Sequence, residues 1–171
     1  TDSTNESFLN YKGRIGIELR GSSSQALDKK PYGFTTLLQD GVSNNNVSLL
    51  GMPSENDWVL NSLAYDPSMV RDYLSYTLAS NMGNYAPRVQ YIEVIVNGDY
   101  KGVYFLTEKV KRDSDRVNLK KIADDDNDFP DITGGYIIKA DKTTGGDEIA
   151  WTMPNYGGWD TNFLHHYPKT E

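Results

Sequence analysis

The segment Arg88–Arg112, R-V-Q-Y-I-E-V-I-V-N-G-D-Y-K-G-V-Y-F-L-T-E-K-V-K-R, constrains the fold more than any other. Two runs rich in β-branched and aromatic residues flank Asn97-Gly98. Both residues of that pair tolerate the positive φ that a type I′ turn demands, so the segment predicts a β-hairpin. Ile92, Val94 and Val96 share one face of the first strand, and Tyr91, Glu93 and Ile95 share the other. Both faces are largely apolar, which places the hairpin inside a sheet covered on one or both sides. Gly102 interrupts the second strand and marks a bulge or a close approach by a ligand or another chain. The strand runs out into Glu108, Lys109 and Val110, then Lys111, Arg112 and Asp113. A buried strand that surfaces into charge leaves backbone groups where a ligand can reach them.

The rest of the chain reads as strands, turns and one clear helix. Arg14–Arg20 alternates strictly and predicts a half-buried strand with Ile15, Ile17 and Leu19 inward. Gly21, Ser22, Ser23, Ser24 and Gln25 form a small-residue turn, and Tyr32–Leu38 returns as the partner strand. Val47–Gly51 is a short apolar run suited to a third strand. Ser54 and Asp57 have capping-box spacing and predict a helical turn that carries Trp58 into the core. Asp66-Pro67 predicts a helix start, with Asp66 as N-cap and Pro67 at the first helical position. Val70, Tyr73, Leu74, Thr77 and Leu78 make its apolar stripe, and Gly83 ends it. One core of Trp58, Val70, Leu74, Val94, Val96, Val103 and Phe105 follows from these faces. Asp115–Lys121 alternates weakly. Asp124–Asp128 is acidic but lacks the glycine and distal glutamate of an EF-hand, so it reads as a solvated loop. Gly134–Asp141 predicts a strand entered through a Gly-Gly turn. Trp151–Glu171 is aromatic without clear periodicity, and Thr1–Asn10 is polar and expected to fray. The fold class expected is α+β: an antiparallel sheet built from hairpins with one main packed helix.

Composition narrows the function. The 171 residues carry a net charge of -7, which disfavours a nucleic-acid partner. No run of eighteen apolar residues offers a membrane span. There is no cysteine, and the only two histidines are the adjacent His165 and His166, so metal-ligand spacing is absent. The chemistry-bearing candidate is Arg20, Gly21, Ser22, Ser23 and Ser24 followed by Lys29 and Lys30. A strand, a loop of small hydroxyls and a return strand entered through lysines can fold over phosphates. Backbone N–H and hydroxyl groups would donate to the oxygens, while Arg20 and a lysine would supply charge.

Several segments in order give the combination its meaning: Glu18–Ser24, Lys29–Tyr32, Leu49–Leu60, Asp66–Asp72, Tyr85–Arg88, Val96–Asp113, Asp115–Leu119 and Gly134–Asp141. Together they resemble the CotH kinase family, secreted, surface or spore-coat proteins with an atypical protein-kinase fold. The resemblance runs from about Ile15 to Asp141. It implies a kinase-like N-lobe over residues 14–145, preceded by a flexible 1–13 and followed by 146–171 as the start of a further segment. It implies nucleotide binding by Arg20, Gly21, Ser22, Ser23, Lys29 and Lys30, with Glu108, Lys109 and Val110 at the adenine edge. ATP with Mg²⁺ or Mn²⁺ would be the cofactor of the full-length protein. A surface or coat protein would be its substrate, and the location would be extracytoplasmic. The sequence departs from an ordinary kinase in that Val47–Leu50 carries no lysine. Lys29 or Lys30 would supply the charge, and Glu18, Asp72 or Asp141 would pair with it. The catalytic and metal aspartates of the family are expected beyond Glu171. The chain is then the N-terminal part of a kinase-like protein, inactive alone, or a noncatalytic surface module that binds protein or glycan.

Overall fold

The computed structural model describes residues 9–123, 125–156 and 158–169, the last two residues before the second gap by backbone alone. Most of the segment expected to fray, and Asp124 of the acidic run, lie outside the described residues. The chain forms two compact units that part between Lys109 and Val110. The fold is α+β, mostly antiparallel sheet, with a single α-helix among the described residues.

The first unit holds β1 (Arg14–Leu19), β2 (Tyr32–Leu37), β3 (Asp57–Asn61), α1 (Arg71–Asn81), β4 (Val89–Val96) and β5 (Asp99–Glu108). Its five strands run in the order β1-β2-β3-β5-β4, and every neighbour is antiparallel. The β4–β5 hairpin forms as its sequence dictates. Asn97 and Gly98 take φ of 53° and 83°, the paired positive values of a type I′ turn. Gly102, at φ 90°, sits in a bulge: Val94 faces Gly102 and Ile95 faces Tyr100, so Lys101 has no opposite number.

Each sheet face has its own packing. Trp58, Leu60, Val94, Tyr104 and Leu106 share one face and are buried under Leu49 and Met52. Val59 and Phe105 alternate with them and belong to the other face, where Phe105 meets Tyr91 with ring centroids 4.3 Å apart. The single core expected from the sequence therefore divides in two. Trp58 and Val94 are buried on one side and Phe105 on the other, while Val70 and Leu74 are exposed. The helix presents Asp72, Tyr76, Thr77 and Ala79 as its half-buried positions, so of the expected apolar stripe only Thr77 is partly covered.

Three further expectations need correction. All six residues of β1 are exposed, because β1 is an edge strand and the covering residues reach only as far as β2. Val47–Leu50 makes one bridge, Val47 to Glu55, and the third strand is β3, which the sequence had assigned to a helical turn. The Val47–Glu55 bridge enforces extended backbone there, and the Glu55 carboxylate accepts from Asp57 N–H at 2.7 Å, so Trp58 enters the core from a strand. The helix starts at Arg71 rather than Asp66, since Met69 lies at φ 57° and breaks helical continuity. Its end is as expected: Asn84 N–H bonds Ala79 O and Gly83 N–H bonds Ser80 O, a Schellman motif with Gly83 at φ 81°.

The second unit holds β6 (Ile137–Ala140), β7 (Ile149–Tyr156) and β8 (Trp159–Tyr167) in the antiparallel order β6-β8-β7. The strand after Gly134-Gly135 is β6. Gly135 is at φ 86°, and a Cβ there would stand 2.3 Å from Lys120 O, so no other residue fits the turn. The β7–β8 hairpin shows no alternation in sequence because register shifts interrupt it between Ile149 and Trp151 and between Met153 and Tyr156. β6 pairs with β8, which joins residues on both sides of position 145 in one sheet.

Candidate functional site

The chain from Arg20 to Pro31 connects β1 to β2 and folds on itself. Arg20 N–H bonds Pro31 O at 3.2 Å, closing the loop at its base. Ser23–Ala26 makes one 3₁₀ turn. Gly21, at φ 85°, has Ser24 Oγ where a Cβ would stand, so the loop tip requires glycine. Gln25 Nε2 donates to Gly21 O at 2.5 Å, and Lys30 Nζ donates to Gln25 O at 2.7 Å.

This loop forms one wall of a cleft of about 480 Å³ within the first unit. The size lies within the range of small-molecule sites. Arg20 and Gly21 line it from the loop, Val59 and Asn61 from β3, and Asp66 and Arg71 from the entry to α1. The alternation of β1 puts Glu18 and Arg20 on this face, and that of β3 adds Val59 and Asn61. Among the described residues the Arg20 guanidinium makes no hydrogen bond or ion pair. Its charge reaches Tyr76, where burial raises the hydroxyl pKa, Asp72 adds to the rise and Arg20 opposes it. Arg71 pairs with Asp66 at 3.5 Å. The Asp66 carboxyl is held below its ordinary value by the Ser68 hydroxyl and then by Arg71 N–H. Asp72 accepts from Asn61 Nδ2 at 3.1 Å, which ties α1 to β3.

The remaining candidates lie elsewhere. Lys29 Nζ donates to Val103 O at 2.5 Å and sits 4.8 Å from the Tyr104 ring centroid, and burial lowers its pKa. Ser22 and Ser23 are exposed at the loop tip. Glu108 is buried and accepts from Arg88 Nη1 at 2.8 Å and Arg88 N–H at 2.9 Å, so its carboxylate serves the start of β4. Lys109 is exposed where β5 ends. Val110 belongs to the second unit, where its carbonyl lies 3.0 Å from His166 Nε2. Among the described residues the expected lysine–carboxylate pair does not form. Lys29 and Lys30 bond backbone carbonyls, Glu18 lies against Gly33, Asp72 holds Asn61, and Asp141 pairs with Lys139 at 3.2 Å in the second unit. Sequence reasoning missed Asn61 and Arg71 as cleft residues. Asn61 was hidden because β3 was read as helical, whereas placement of Val59 and Asn61 at alternate positions of a strand would have exposed it.

A free guanidinium on one wall and the apolar Val59 beside it suit an elongated anion carrying an uncharged ring, as a nucleoside triphosphate does. Among the described residues no three Asp, Glu or His side chains converge as a metal site, so no residue is assigned to Mg²⁺ or Mn²⁺. Among the described residues, no helix is long and apolar enough to cross a membrane.

No curated protein matches the chain significantly. A family model described as CotH kinase protein matches residues 17–164, from β1 through most of β8. With most of its length inside that match, the chain belongs to the CotH kinase protein family.

Proposed function

We propose that this chain is the nucleotide-binding part of a CotH-like atypical protein kinase that phosphorylates surface or coat proteins outside the cytoplasm. ATP with Mg²⁺ or Mn²⁺ is the expected cofactor. The observation that carries the reading is the unpaired Arg20 guanidinium on the wall of the cleft. The arrangement around it supports the same reading. Protein kinases cover the nucleotide phosphates with a glycine-containing loop and link the third strand to the following helix. Here the β1–β2 connection contains Gly21, and Asn61 of β3 bonds Asp72 of α1. Arg20 and the loop N–H groups at Gly21–Ser23 meet the phosphates, and the backbone leaving β5 at Lys109 takes the adenine, since Glu108 N–H already bonds Arg88 O. Positioning and electrostatic stabilisation are what phosphoryl transfer asks of such groups. Isothermal titration calorimetry with Mg-ATP tests the reading. Arg20→Ala should weaken binding about tenfold or more, since a hydrogen bond to a charged group is lost. The apo melting temperature should hardly move, because the guanidinium has no partner to lose among the described residues. Unchanged affinity would refute it.

A second reading, a noncatalytic module that binds glycan, is favoured by the aromatic surface of the second unit. Trp151 stacks on Phe163 at 4.8 Å, and Trp159 is 77% exposed. Quenching or shift of Trp fluorescence by soluble polysaccharide, lost in Trp159→Ala, would support it. An unaltered spectrum at saturating polysaccharide would reject it.

A further inference from the structure

We propose that Lys29 is a positioning residue of the cleft, a staple that holds the Arg20–Pro31 loop on β5 so that Arg20, of the loop's three cations, faces the anion. The inference rests on the nucleotide reading of the cleft for its consequence, but its geometry stands apart from it. Lys29 reaches across to β5, seventy-four positions on, and its ammonium donates to Val103 O at 2.5 Å. The Tyr104 ring lies against the same ammonium, 4.8 Å from Nζ to centroid. Tyr104 then returns a bond, its hydroxyl donating to Lys30 O at 2.9 Å. Two consecutive loop residues are thereby fixed to two consecutive residues of one strand.

The bulge at Gly102 makes room for this. A Cβ at Gly102 would lie 3.7 Å from both Cε and Nζ of Lys29, and the residue sits at φ 90°, where side chains are disfavoured. The glycine that interrupts β5 therefore marks a close approach as well as a bulge, and what approaches is Lys29 of the same chain. From Lys30 the order continues inward: Lys30 Nζ to Gln25 O, then Gln25 Nε2 to Gly21 O. The chain of bonds ends beside Arg20. Each lysine gives a donor to a carbonyl, while the arginine, among the described residues, gives none. A lysine holding a carbonyl over an aromatic ring is desolvated and geometrically committed, and moving it to a phosphate would cost both contacts.

The experiment separates charge from position. Backbone amide hydrogen exchange is measured on the apo chain, and Mg-ATP affinity is measured by calorimetry across a series of salt concentrations. Lys29→Met keeps the stem and removes the ammonium. It should speed exchange across Gly21–Lys30, leave β3 unchanged, and weaken Mg-ATP several-fold, with the salt dependence of the wild type retained. Lys29→Arg should restore both readouts in part. Arg20→Ala should instead leave exchange as it is and flatten the salt dependence, since a screened charge pair has gone. Tyr104→Phe, a milder change, should loosen the same loop amides and serves if Lys29→Met folds poorly. Wild-type exchange in both Lys29→Met and Tyr104→Phe would overturn the staple. So would a salt dependence in Lys29→Met as flat as that of Arg20→Ala, because Lys29 would then touch the anion itself. An Arg20→Ala chain with wild-type affinity would instead overturn the cleft reading, and the exchange data would still decide the staple.

Discussion

Phe105→Ala tests how the first unit is held together. Phe105 is 0% exposed, at the centre of the β5 face that looks toward α1. A buried aromatic contributes roughly 150–250 Å² of packing area, which at about 25 cal/mol per Å² amounts to roughly 4–6 kcal/mol before the retained methyl is discounted. The edge-on contact with Tyr91 at 4.3 Å adds about 0.5–1.5 kcal/mol. Measured truncations of buried Phe cluster at about 3–5 kcal/mol, and that is the loss expected here. The assay is urea denaturation followed by the fluorescence of Trp58, in a background where Trp151 and Trp159 are replaced by Phe so that the signal comes from the first unit. The comparison is Leu74→Ala on the helix stripe. Leu74 is 58% exposed, so it should cost under about 0.5 kcal/mol. A loss below about 1 kcal/mol for Phe105→Ala, or equal losses for the two variants, would refute the division of the core between the sheet faces.

Other outcomes follow from single contacts. Gly135→Ala should lower the melting temperature of the second unit, at a cost above about 1 kcal/mol, because its Cβ meets the Lys120 carbonyl at positive φ; an unchanged melt would place that turn elsewhere. Asp66 has a folded pKa below its ordinary 3.8, so the stability it contributes is present above 3.8 and lost as pH falls through the lower folded value. Asp66→Asn should therefore flatten the acid side of the pH–stability curve below 3.8, and a curve matching wild type there would contradict the hold of the Asp66 carboxylate on Ser68 and the Arg71 amide. Glu108→Gln should shorten the protection of the Arg88 amide in hydrogen exchange, since the carboxylate that accepts from it at 2.9 Å weakens as an acceptor. Equal protection would show that the pair does not anchor the start of β4.

What was legible in the sequence was local chemistry. Asn97-Gly98 can make one kind of turn, so the β4–β5 hairpin came directly from two residues. Gly83 ended the helix for the same reason, and the strict alternation of β1 and the Gly-Gly entry to β6 located two more strands. The loop that carries Arg20 was legible because small residues between strands have few other uses. Tertiary structure decided everything that depends on a partner distant in sequence. β3 is a strand because Val47 bridges Glu55 and because β2 and β5 flank it, not because its own residues alternate. Val70, Tyr73, Leu74 and Leu78 of the helix stripe stay exposed because Asn61 holds Asp72 and so fixes which side of α1 faces the sheet. Bulges hid β7 and β8, since each shift of register reverses the faces that alternation reports. The division between Arg20 and Lys29 was likewise settled by tertiary structure: the two residues look equivalent as cations in sequence, and only the carbonyl of Val103, seventy-four positions beyond Lys29, distinguishes them.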